Sequence, residues 1–364
     1  SPLRFLQMTP IKVRLNFSLF KKEQNSKLVL SNPLLDLLDA VKRTGSLTAA
    51  SKELGYSYRH LWNEVKEWEK ELGADLLVSG RGKNGELTPF AERLLWANKE
   101  VQAKYHKQLL DLKAGIAQTF SRAIKETWDP IQISGCPDMA IDILRQIAVD
   151  KGEDLEVNFS SSLEGLKSLN NHECDIAGFN FPLSSGRDSQ ACKIFSPYLN
   201  PESMAVITFA TRLQGLAVPK GNPKKIYSIM DIAFKKAKFI NRKEGTGTRL
   251  LFDKLLQASG LSSSDIFGYD NYSASTSMSA VAIASNRADA GICTANIAEE
   301  SHLDFIPLAK EIYYLACTKE FLASQKGTDF LSFLKDIDWE PYSKQLQGYD
   351  FSHVGEILSP EEIF

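Results

Sequence analysis

Residues 45–88 read GSLTAASKELGYSYRHLWNEVKEWEKELGADLLVSGRGKNGELT. Gly55 and Gly73 indicate the ends of two helices within this stretch, because glycine is the preferred residue just beyond a helix. Ser46 and Ser57 stand where the two helices begin, and a serine there accepts hydrogen bonds from the first free N–H groups. The short Gly-Tyr-Ser connection is typical of a helix-turn-helix, whose second helix enters the major groove of DNA.

The second helix has two distinct faces, about 160° apart at the helical repeat. Apolar side chains recur along one face: Leu61, Val65, Trp68 and Leu72. Hydrogen-bond donors recur along the other: Arg59, Asn63, Lys66 and Lys70. Arginine and asparagine can each bond two positions on a base edge, and lysine can bond a phosphate. We therefore expect the first face in the core and the second face on DNA.

Short β patterns surround these helices. DLLVSGRGKNGELT predicts two strands around a basic, glycine-rich tip, which is the wing of a winged helix-turn-helix. Upstream, the alternating pattern of IKVRLNFSLF at 11–20 predicts a strand that pairs with KLVL at 27–30. A further helix is expected from the spacing of Leu34, Leu38 and Val41.

A long helix follows. Between Pro89 and Thr127 the only helix-weakening residue is Gly115, and apolar residues recur at helical spacing throughout. At 1.5 Å per residue such a helix runs about 50 Å, which is longer than a small domain needs for its own core. We interpret it as a linker that forms a dimer. The alternative is two helices broken near Gly115.

From Pro130 onward, short β runs alternate with helical patterns. IQIS precedes GCPDMAIDILRQIAVD, LEVNFS precedes SSLEGLKSLNN, and KFINR precedes GTGTRLLFDKLLQASG. Such alternation is typical of parallel α/β sheets, in which ligands bind at the carboxyl ends of the strands. About 235 residues exceed one typical unit, so two lobes with a cleft are expected. The closing IPLAKEIYYLACTKEFLAS is expected to return to the first lobe.

Composition and charge narrow the function. The 364 residues are 43% hydrophobic and 24% charged, without a transmembrane run or a signal-peptide pattern at the start. The five cysteines form no CxxC pair, so a cytoplasmic protein with reduced thiols is expected, and contact with a membrane is not. Residues 1–130 hold 21 Lys and Arg against 15 Asp and Glu, whereas the remainder holds 22 against 30. The basic first third favours contact with a polyanion such as DNA.

The stretch from Gly45 to Leu95 resembles the winged helix-turn-helix of the ModE family of molybdate-dependent regulators, which is related to the LysR type. The pairing of GSLTAA with GYSYRHLW and with a wing that ends in LT carries the resemblance. It implies that Ser57, Tyr58, Arg59, Asn63 and Lys66 belong to the recognition helix and that Arg81 and Lys83 belong to the wing. It also implies double-stranded DNA as a partner and a homodimer or higher homo-oligomer.

The remainder departs from that family, whose ligand domain is a small β-barrel module. ISGCPDMAIDIL, FINRKEGTGTRLLFDKLL and ASNRADAGI instead resemble a periplasmic-binding-protein-like domain of the kind related to molybdate and tungstate binding. The combination implies a one-component regulator with a DNA-binding domain at 1–88, a linker helix at 89–128 and a two-lobed ligand domain at 129–364. A small oxyanion is then the effector, and no other cofactor is expected.

Serines, threonines and glycines at three predicted helix starts are suited to an oxyanion, because free N–H groups and the positive end of the helix dipole meet there. Nearby arginines could add a bidentate clamp. The alternative is that each hydroxyl simply caps its helix. The candidate ligand residues are Ser134, Gly135, Cys136, Ser160, Ser161, Ser162, Asn180, Asn241, Arg242, Thr246, Gly247, Thr248 and Arg249.

The sequence gives less support to functions other than DNA-binding regulation. The five histidines form no HExxH motif, GTGTR lacks the lysine of a phosphate-binding loop, and no GxSxG elbow occurs, so an enzyme is not expected. Two alternatives stay open: the same architecture sensing an organic ligand, such as a carboxylate or a molybdenum-cofactor precursor, and an enzyme or transport-type binding module.

Overall fold

The structure is a computed structural model that describes residues 19–20, 29–30, 32–78, 85–125, 127–183, 187, 189–244 and 246–364. The described residues fall into two compact units, one within 14–109 and one from 110 to 364.

The first unit is a winged helix-turn-helix. Its helix ends are local features of the sequence: Gly55 and Gly73 adopt left-handed backbone angles beyond their helices, and the Ser46 and Ser57 hydroxyls accept from Ala49 N and His60 N, as predicted. The elements are β1 (Leu19–Phe20), β2 (Val29–Leu30), α1 (Asn32–Thr44), α2 (Leu47–Leu54) and α3 (Tyr58–Leu72). Strands β1 and β2 pair antiparallel, and the rest of the predicted hairpin, 11–18 and 27–28, lies outside the described residues.

The three helices pack around a small core that includes the predicted apolar face of α3. Leu77 pairs antiparallel with Leu87, and Thr88 N donates to Leu76 O at 3.0 Å, so the base of the predicted wing is present. The tip of the wing, with Arg81 and Lys83, lies outside the described residues.

Helix α4 (Pro89–Ile124) is 36 residues long and passes through Gly115 without a break. Its length is about 54 Å at 1.5 Å per residue. Exposed large apolar side chains follow one face of it: Val101, Tyr105, Leu112, Ile116 and Phe120. No helix among the described residues is long and apolar enough to cross a membrane.

The second unit is built on a nine-stranded sheet, counted over the described residues. In chain order its elements are β3 (Ile131–Gly135), α5 (Met139–Lys151), β4 (Leu155–Phe159), α6 (Ser162–Asn170), β5 (Ile176–Pro182), α7 (Gln190–Phe195), β6 (Met204–Val218), α8 (Ile229–Phe234), β7 (Phe239–Arg242), α9 (Gly247–Ala258), β8 (Tyr272–Ser273), α10 (Thr276–Ala284), β9 (Ala290–Thr294), α11 (Ala295–Glu300), β10 (Asp304–Thr318), α12 (Lys319–Ala323), α13 (Gln325–Lys335), β11 (Ile357–Leu358) and α14 (Pro360–Ile363).

The strand order is β4-β3-β5-β10-β6-β9-β7-β8, and β11 pairs with β6. Strands β6 and β10 are each 15 residues long and pair antiparallel with each other. The second half of β10 also pairs with β5, whereas the last residues of β6 pair with β9. These two strands therefore run through both lobes: β3, β4 and β5 complete the first lobe, and β7, β8 and β9 complete the second. The predicted two-lobed α/β fold is confirmed.

The long strands differ from the short parallel strands that the sequence predicts. The short β run GLAVP, which precedes KFINR in the sequence, predicts a strand of its own, but its residues Gly215–Val218 are the end of β6. IPLAKEIYYLACT runs antiparallel to β6. The physical reason is that a chain which leaves the first lobe and returns to it needs two opposed crossings, and two extended segments that pair with each other satisfy the backbone N–H and C=O groups of both.

Candidate DNA interface and ligand site

The recognition helix α3 presents its predicted polar face to solvent. Arg59, Asn63 and Lys66 are exposed, as is Tyr58 beside them. Arg59 and Asn63 make no side-chain hydrogen bond or ion pair with the described part of the chain, so their donors are available to a partner. Ser57 is the N-cap of α3, and its hydroxyl accepts from His60 N at 3.2 Å.

Trp62 is a member of this face that the sequence analysis missed. Its ring is 37% exposed, stacks with Tyr58 at 6.2 Å between centroids, and lies 4.7 Å from Lys66 Nζ. Lys66 also forms an ion pair with the buried carboxylate of Glu69 at 2.9 Å, which partly neutralises its charge. The sequence could have indicated Trp62, because this tryptophan does not belong to the apolar face of α3. A tryptophan on the solvent side of an amphipathic helix is a common interface residue.

In the first lobe, the candidate ligand residues lie together where β3, β4 and β5 end. Ser160 N donates to Gly135 O at 2.8 Å, and Asn180 Nδ2 lies 3.3 Å from Cys136 Sγ. Asn180 N donates to Ser162 Oγ at 3.3 Å. Parallel strands end at the same edge of a sheet, which is why residues from three separate segments meet here.

Backbone crowding explains Gly135. A Cβ at this position would lie 2.5 Å from the carbonyl oxygen of Gly178 on the neighbouring strand. Any side chain would force β3 and β5 apart, because a carbon and a backbone oxygen do not approach so closely. Gly135 is therefore required by the packing of the strands, whether or not it contacts a ligand.

Several predicted ligand serines also have local structural roles. Ser161 caps α6 in a capping box: its Oγ accepts from Glu164 N at 3.1 Å, and Ser161 N donates to Glu164 at 3.2 Å. Ser160 Oγ donates to Ser161 O, and Ser134 is buried. Burial raises the pKa of the Cys136 thiol, so this cysteine is held in its neutral form.

In the second lobe, the candidates lie at the end of β7 and the start of α9. Thr246 caps α9 by accepting from Arg249 N at 3.2 Å, and Gly247 and Thr248 form the first turn. Asn241 is buried and holds the loop that follows, because its Nδ2 donates to Tyr269 O and its Oδ1 accepts from Arg242 N.

The two candidate arginines have different environments. Arg249 donates to Arg242 O at 3.1 Å, lies 4.3 Å from the Tyr269 ring and is 3.6 Å from the Asp253 carboxylate. Arg242 donates through Nη1 to Thr276 at the start of α10. The Nε atoms of both arginines are buried without a hydrogen-bond partner among the described residues, and only Arg249 has a carboxylate nearby. Burial lowers the pKa of Arg242, and this group makes no ion pair among the described residues.

The structure thus brings together the candidates within each lobe. No hydrogen bond or ion pair between described residues joins the first-lobe set to the second-lobe set. Convergence of the two sets on one ligand stays a prediction.

A charged network between the lobes was missed by the sequence analysis. Arg212 on β6 donates to Asp138 at 2.8 Å and to Glu311 on β10 at 2.8 Å, and Gln214 Nε2 also donates to Glu311 at 3.0 Å. Tyr349 completes the set by donating to Asp138. The available signal was an arginine and a glutamate near the middle of two predominantly apolar segments.

Burial and the neighbouring charges act in opposite directions on the pKa values of Asp138 and Arg212. Burial raises the pKa of Asp138, against the lowering effect of the adjacent Arg212. Burial alone would lower the pKa of Arg212, but the charges of Glu311 and Asp138 outweigh it and raise that pKa well above its usual value. Arg212 is therefore permanently charged and is the cation that allows two carboxylates to be buried here.

Comparison with known proteins identifies both units. Residues 145–335, more than half of the chain, match the family described as PBP superfamily domain. Residues 33–92 match the bacterial regulatory helix-turn-helix protein, lysR family.

Individual proteins are also similar. Uncharacterized protein YvgK of Bacillus subtilis (strain 168) is 29% identical over 237 residues, which is 63% of this chain and 73% of that protein. Molybdenum-pterin-binding protein MopB of Rhodobacter capsulatus is 35% identical over 77 residues, so the match spans 20% of this chain and only 28% of MopB. Among solved structures, full-length BenM is 15% identical with a TM-score of 0.40 and covers 85% of this chain and 96% of BenM.

The helix-turn-helix places the chain among regulators rather than enzymes, because the lysR family consists of DNA-binding regulatory proteins. The chain therefore belongs to the PBP superfamily, and it joins a helix-turn-helix of the lysR type to a PBP-like ligand-binding domain, as a DNA-binding transcriptional regulator does.

Proposed function

We propose that this regulator senses a small tetrahedral oxyanion, molybdate or tungstate, bound in the cleft between its two α/β lobes. Arg242 is the observation that carries the proposal. It is a partly buried cation at the carboxyl end of β7, with no carboxylate partner among the described residues and with a buried Nε–H that makes no hydrogen bond. A buried donor without a partner is costly, and an anion would satisfy it with a charge-assisted hydrogen bond.

Helix N-termini supply neutral donors in the same unit. Helices α6 and α9 begin at the carboxyl ends of strands and are capped by Ser161 and Thr246. Free N–H groups in the first turn and the positive end of the helix dipole favour a small anion there. The similarity to MopB, named as a molybdenum-pterin-binding protein, favours a molybdenum species as the effector.

The proposed output is binding to double-stranded DNA by a homodimer. Helix α3 supplies Arg59, Asn63 and Lys66 to the major groove, and the wing supplies Arg81 and Lys83. The exposed apolar face of α4 is suited to pairing with a second copy of the same helix. Two recognition helices must lie about 34 Å apart to enter successive major grooves. Anion binding between the lobes would alter the pairing of α4 and thereby this spacing.

The test is calorimetric titration of the full chain with molybdate, tungstate, sulfate and phosphate. We expect one-to-one binding of molybdate or tungstate, weakened about tenfold or more in Arg242→Met because a charge-assisted hydrogen bond is lost. Arg249→Met is the comparison: its Nε is also buried without a hydrogen bond, but its charge already has Asp253 beside it, so the loss of affinity should be smaller. Absence of heat with all four anions would contradict the oxyanion proposal.

A second candidate is an organic ligand with N–H or O–H donors, such as a molybdenum-cofactor precursor. The observation that favours it is a set of buried amide oxygens without hydrogen-bond partners on Asn180, Gln214 and Asn296. Acceptors of this kind suit a ligand that donates, whereas an oxyanion only accepts. Saturable binding of a pterin with no response to the four anions would favour this candidate.

A further inference from the structure

A cavity of about 580 Å³ lies in the second unit, and none of the candidate ligand residues belongs to its lining, which reaches Asn158 and Phe159 just before Ser160. One wall is the last part of α4, where Ala114, Gly115 and Ile124 face the space. The opposite wall is formed by α5 and β4 of the first lobe, with Leu155 and Phe159. Its volume falls within the range of about 300–1,000 Å³ that is usual for small-molecule sites.

Three of the four charged residues that line this cavity are already paired: Arg145 with Asp111, and Lys125 with Asp154 just outside the lining, whereas Glu153 is exposed to solvent. Arg145 donates to Asp111 on α4 at 2.9 Å and to Asp142 at 3.1 Å. Glu156 accepts from Gln118, from Arg122 at 3.3 Å and from Trp128 Nε1 at 3.4 Å. Among the described residues, no buried side-chain nitrogen or oxygen that lacks a partner belongs to the lining.

This pairing decides the class of ligand. An anion would have to compete with the carboxylates that already hold Arg145 and Lys125, and a cation would find its only lining carboxylate without an ion pair, among the described residues, at the solvent-exposed Glu153. A neutral molecule would cover apolar surface at little electrostatic cost, gaining about 25 cal/mol for each Å² of apolar surface removed from water. The rings of Trp128 and Phe159 in the lining are suited to an aromatic or other flat apolar group.

We propose that this cavity is a second binding site, distinct from the cleft between the lobes, for a small neutral molecule with an aromatic or flat apolar ring. The ligand contacts α4 on one side and the first lobe on the other. Residues 111–124 of α4 belong to the same uninterrupted helix that begins at Pro89 beside the wing. Occupation of the site therefore changes how the ligand-binding unit holds the linker helix, independently of the oxyanion.

Gly115 provides a clean way to test the site. A Cβ at this position would meet no other atom within 4 Å, and Gly115 lines the cavity. A leucine side chain at 115 would therefore extend into the cavity without a backbone clash. The substitution also favours helix formation by about 0.8–1.0 kcal/mol relative to glycine, so the variant is expected to fold. Gly115→Ala removes the same glycine but adds only a methyl group, which makes it the matched control.

The experiment is calorimetric titration of the full chain with indole, a neutral aromatic probe. We expect saturable one-to-one binding that is weakened about tenfold or more by Gly115→Leu but changes less than about twofold in Gly115→Ala. Arg242→Met and saturating tungstate should leave indole binding unchanged, which separates this site from the proposed oxyanion site. Absence of saturable indole binding, or equal binding by Gly115→Leu, would overturn the proposal.

Discussion

Arg212 Nη1 lies 2.8 Å from Asp138 Oδ2, and this contact connects the N-terminus of a first-lobe helix to a strand shared by both lobes. Asp138 is the N-cap of α5, where it accepts from Ala140 N at 2.7 Å. Its side chain is 1% exposed, and that of Arg212 is 16% exposed. The pair is therefore buried where the two lobes meet. If one of the two side chains is removed, water cannot fully hydrate the charge that remains.

Replacing Arg212 by methionine should destabilise the chain strongly. The substitution leaves Asp138 and Glu311 buried without a cation, and breaking a buried pair in this way costs about 3–5 kcal/mol of unfolding free energy. Urea unfolding at neutral pH measures the loss. Lys224→Met is the control: it removes the exposed Lys224–Asp289 pair and should cost less than about 1 kcal/mol.

The loss in Arg212→Met should also depend on pH. Burial already raises the pKa of Asp138, and removal of Arg212 raises it further. A carboxyl whose pKa is higher in the folded state contributes stability below its unfolded pKa and loses that contribution as the pH rises through the folded value. The deficit of the variant should therefore be smaller near about pH 4 than near about pH 8. An equal deficit at both would show that Asp138 does not titrate with folding.

Arg59→Ala should weaken DNA binding without changing stability. Its side chain is exposed on α3 and has no partner within the described part of the chain, so the folded unit loses nothing when it is removed. Loss of a base contact should cost about 1–3 kcal/mol of binding free energy and relax specificity at one base pair. Fluorescence anisotropy with operator DNA, alongside thermal unfolding, measures both quantities. Lys319→Ala, which removes an exposed cation from the ligand-binding unit, should leave affinity unchanged.

Glutamate substitutions on α4 test the proposed dimer. Leu112 and Phe120 are 57% and 54% exposed on one face of the helix, and a second copy would bury them. Leu112→Glu together with Phe120→Glu should shift the chain toward monomer in sedimentation velocity, because buried carboxylates without partners are costly. Lys104→Glu places the same charge on the exposed surface of α4, about 80° around the helix from Leu112 and about 160° from Phe120. Dissociation by both changes would indicate a general charge effect rather than an interface.

Two candidate ligand glycines should respond in opposite ways to alanine. Gly135→Ala forces a Cβ to within 2.5 Å of Gly178 O and should destabilise the chain by about 1–3 kcal/mol. A Cβ at Gly247 would meet nothing within 4 Å, so Gly247→Ala should be neutral or stabilise by up to about 1 kcal/mol. Thermal unfolding of both variants measures the difference, and a large loss in Gly247→Ala would contradict the packing described for α9.

Local features of this fold are predictable from the sequence. Gly55 and Gly73 end α2 and α3, Ser46 and Ser57 begin them, and α4 continues through Gly115, because each of these depends on neighbours within one or two helical turns. The alternation of strands and helices after Pro130 also predicts an α/β fold with two lobes. These are consequences of spacing, which a single sequence displays directly.

Long-range pairing is not predictable in the same way. Arg212 and Glu311 are partners across β6 and β10 although they are 99 positions apart, and nothing in either segment alone selects the other. The candidate ligand site is hard to predict for a different reason, which is that one residue type can serve two roles. Ser161 and Thr246 suit both a helix cap and an anion contact, since both roles need a hydroxyl at a helix start. The structure shows the caps, and the contact stays a prediction.

The pairing of β5 with β10 has a consequence for biosynthesis. Ile176–Pro182 finds its neighbour in Glu311–Cys317, which is translated some 135 residues later. Until the ribosome has synthesised β10, the β5 edge of the first lobe has no partner strand. The apolar side chains that β10 later covers are exposed during that time. The first lobe is thus translated early but completed late, and its exposed edge during that interval is where chaperones or aggregation would act on this regulator.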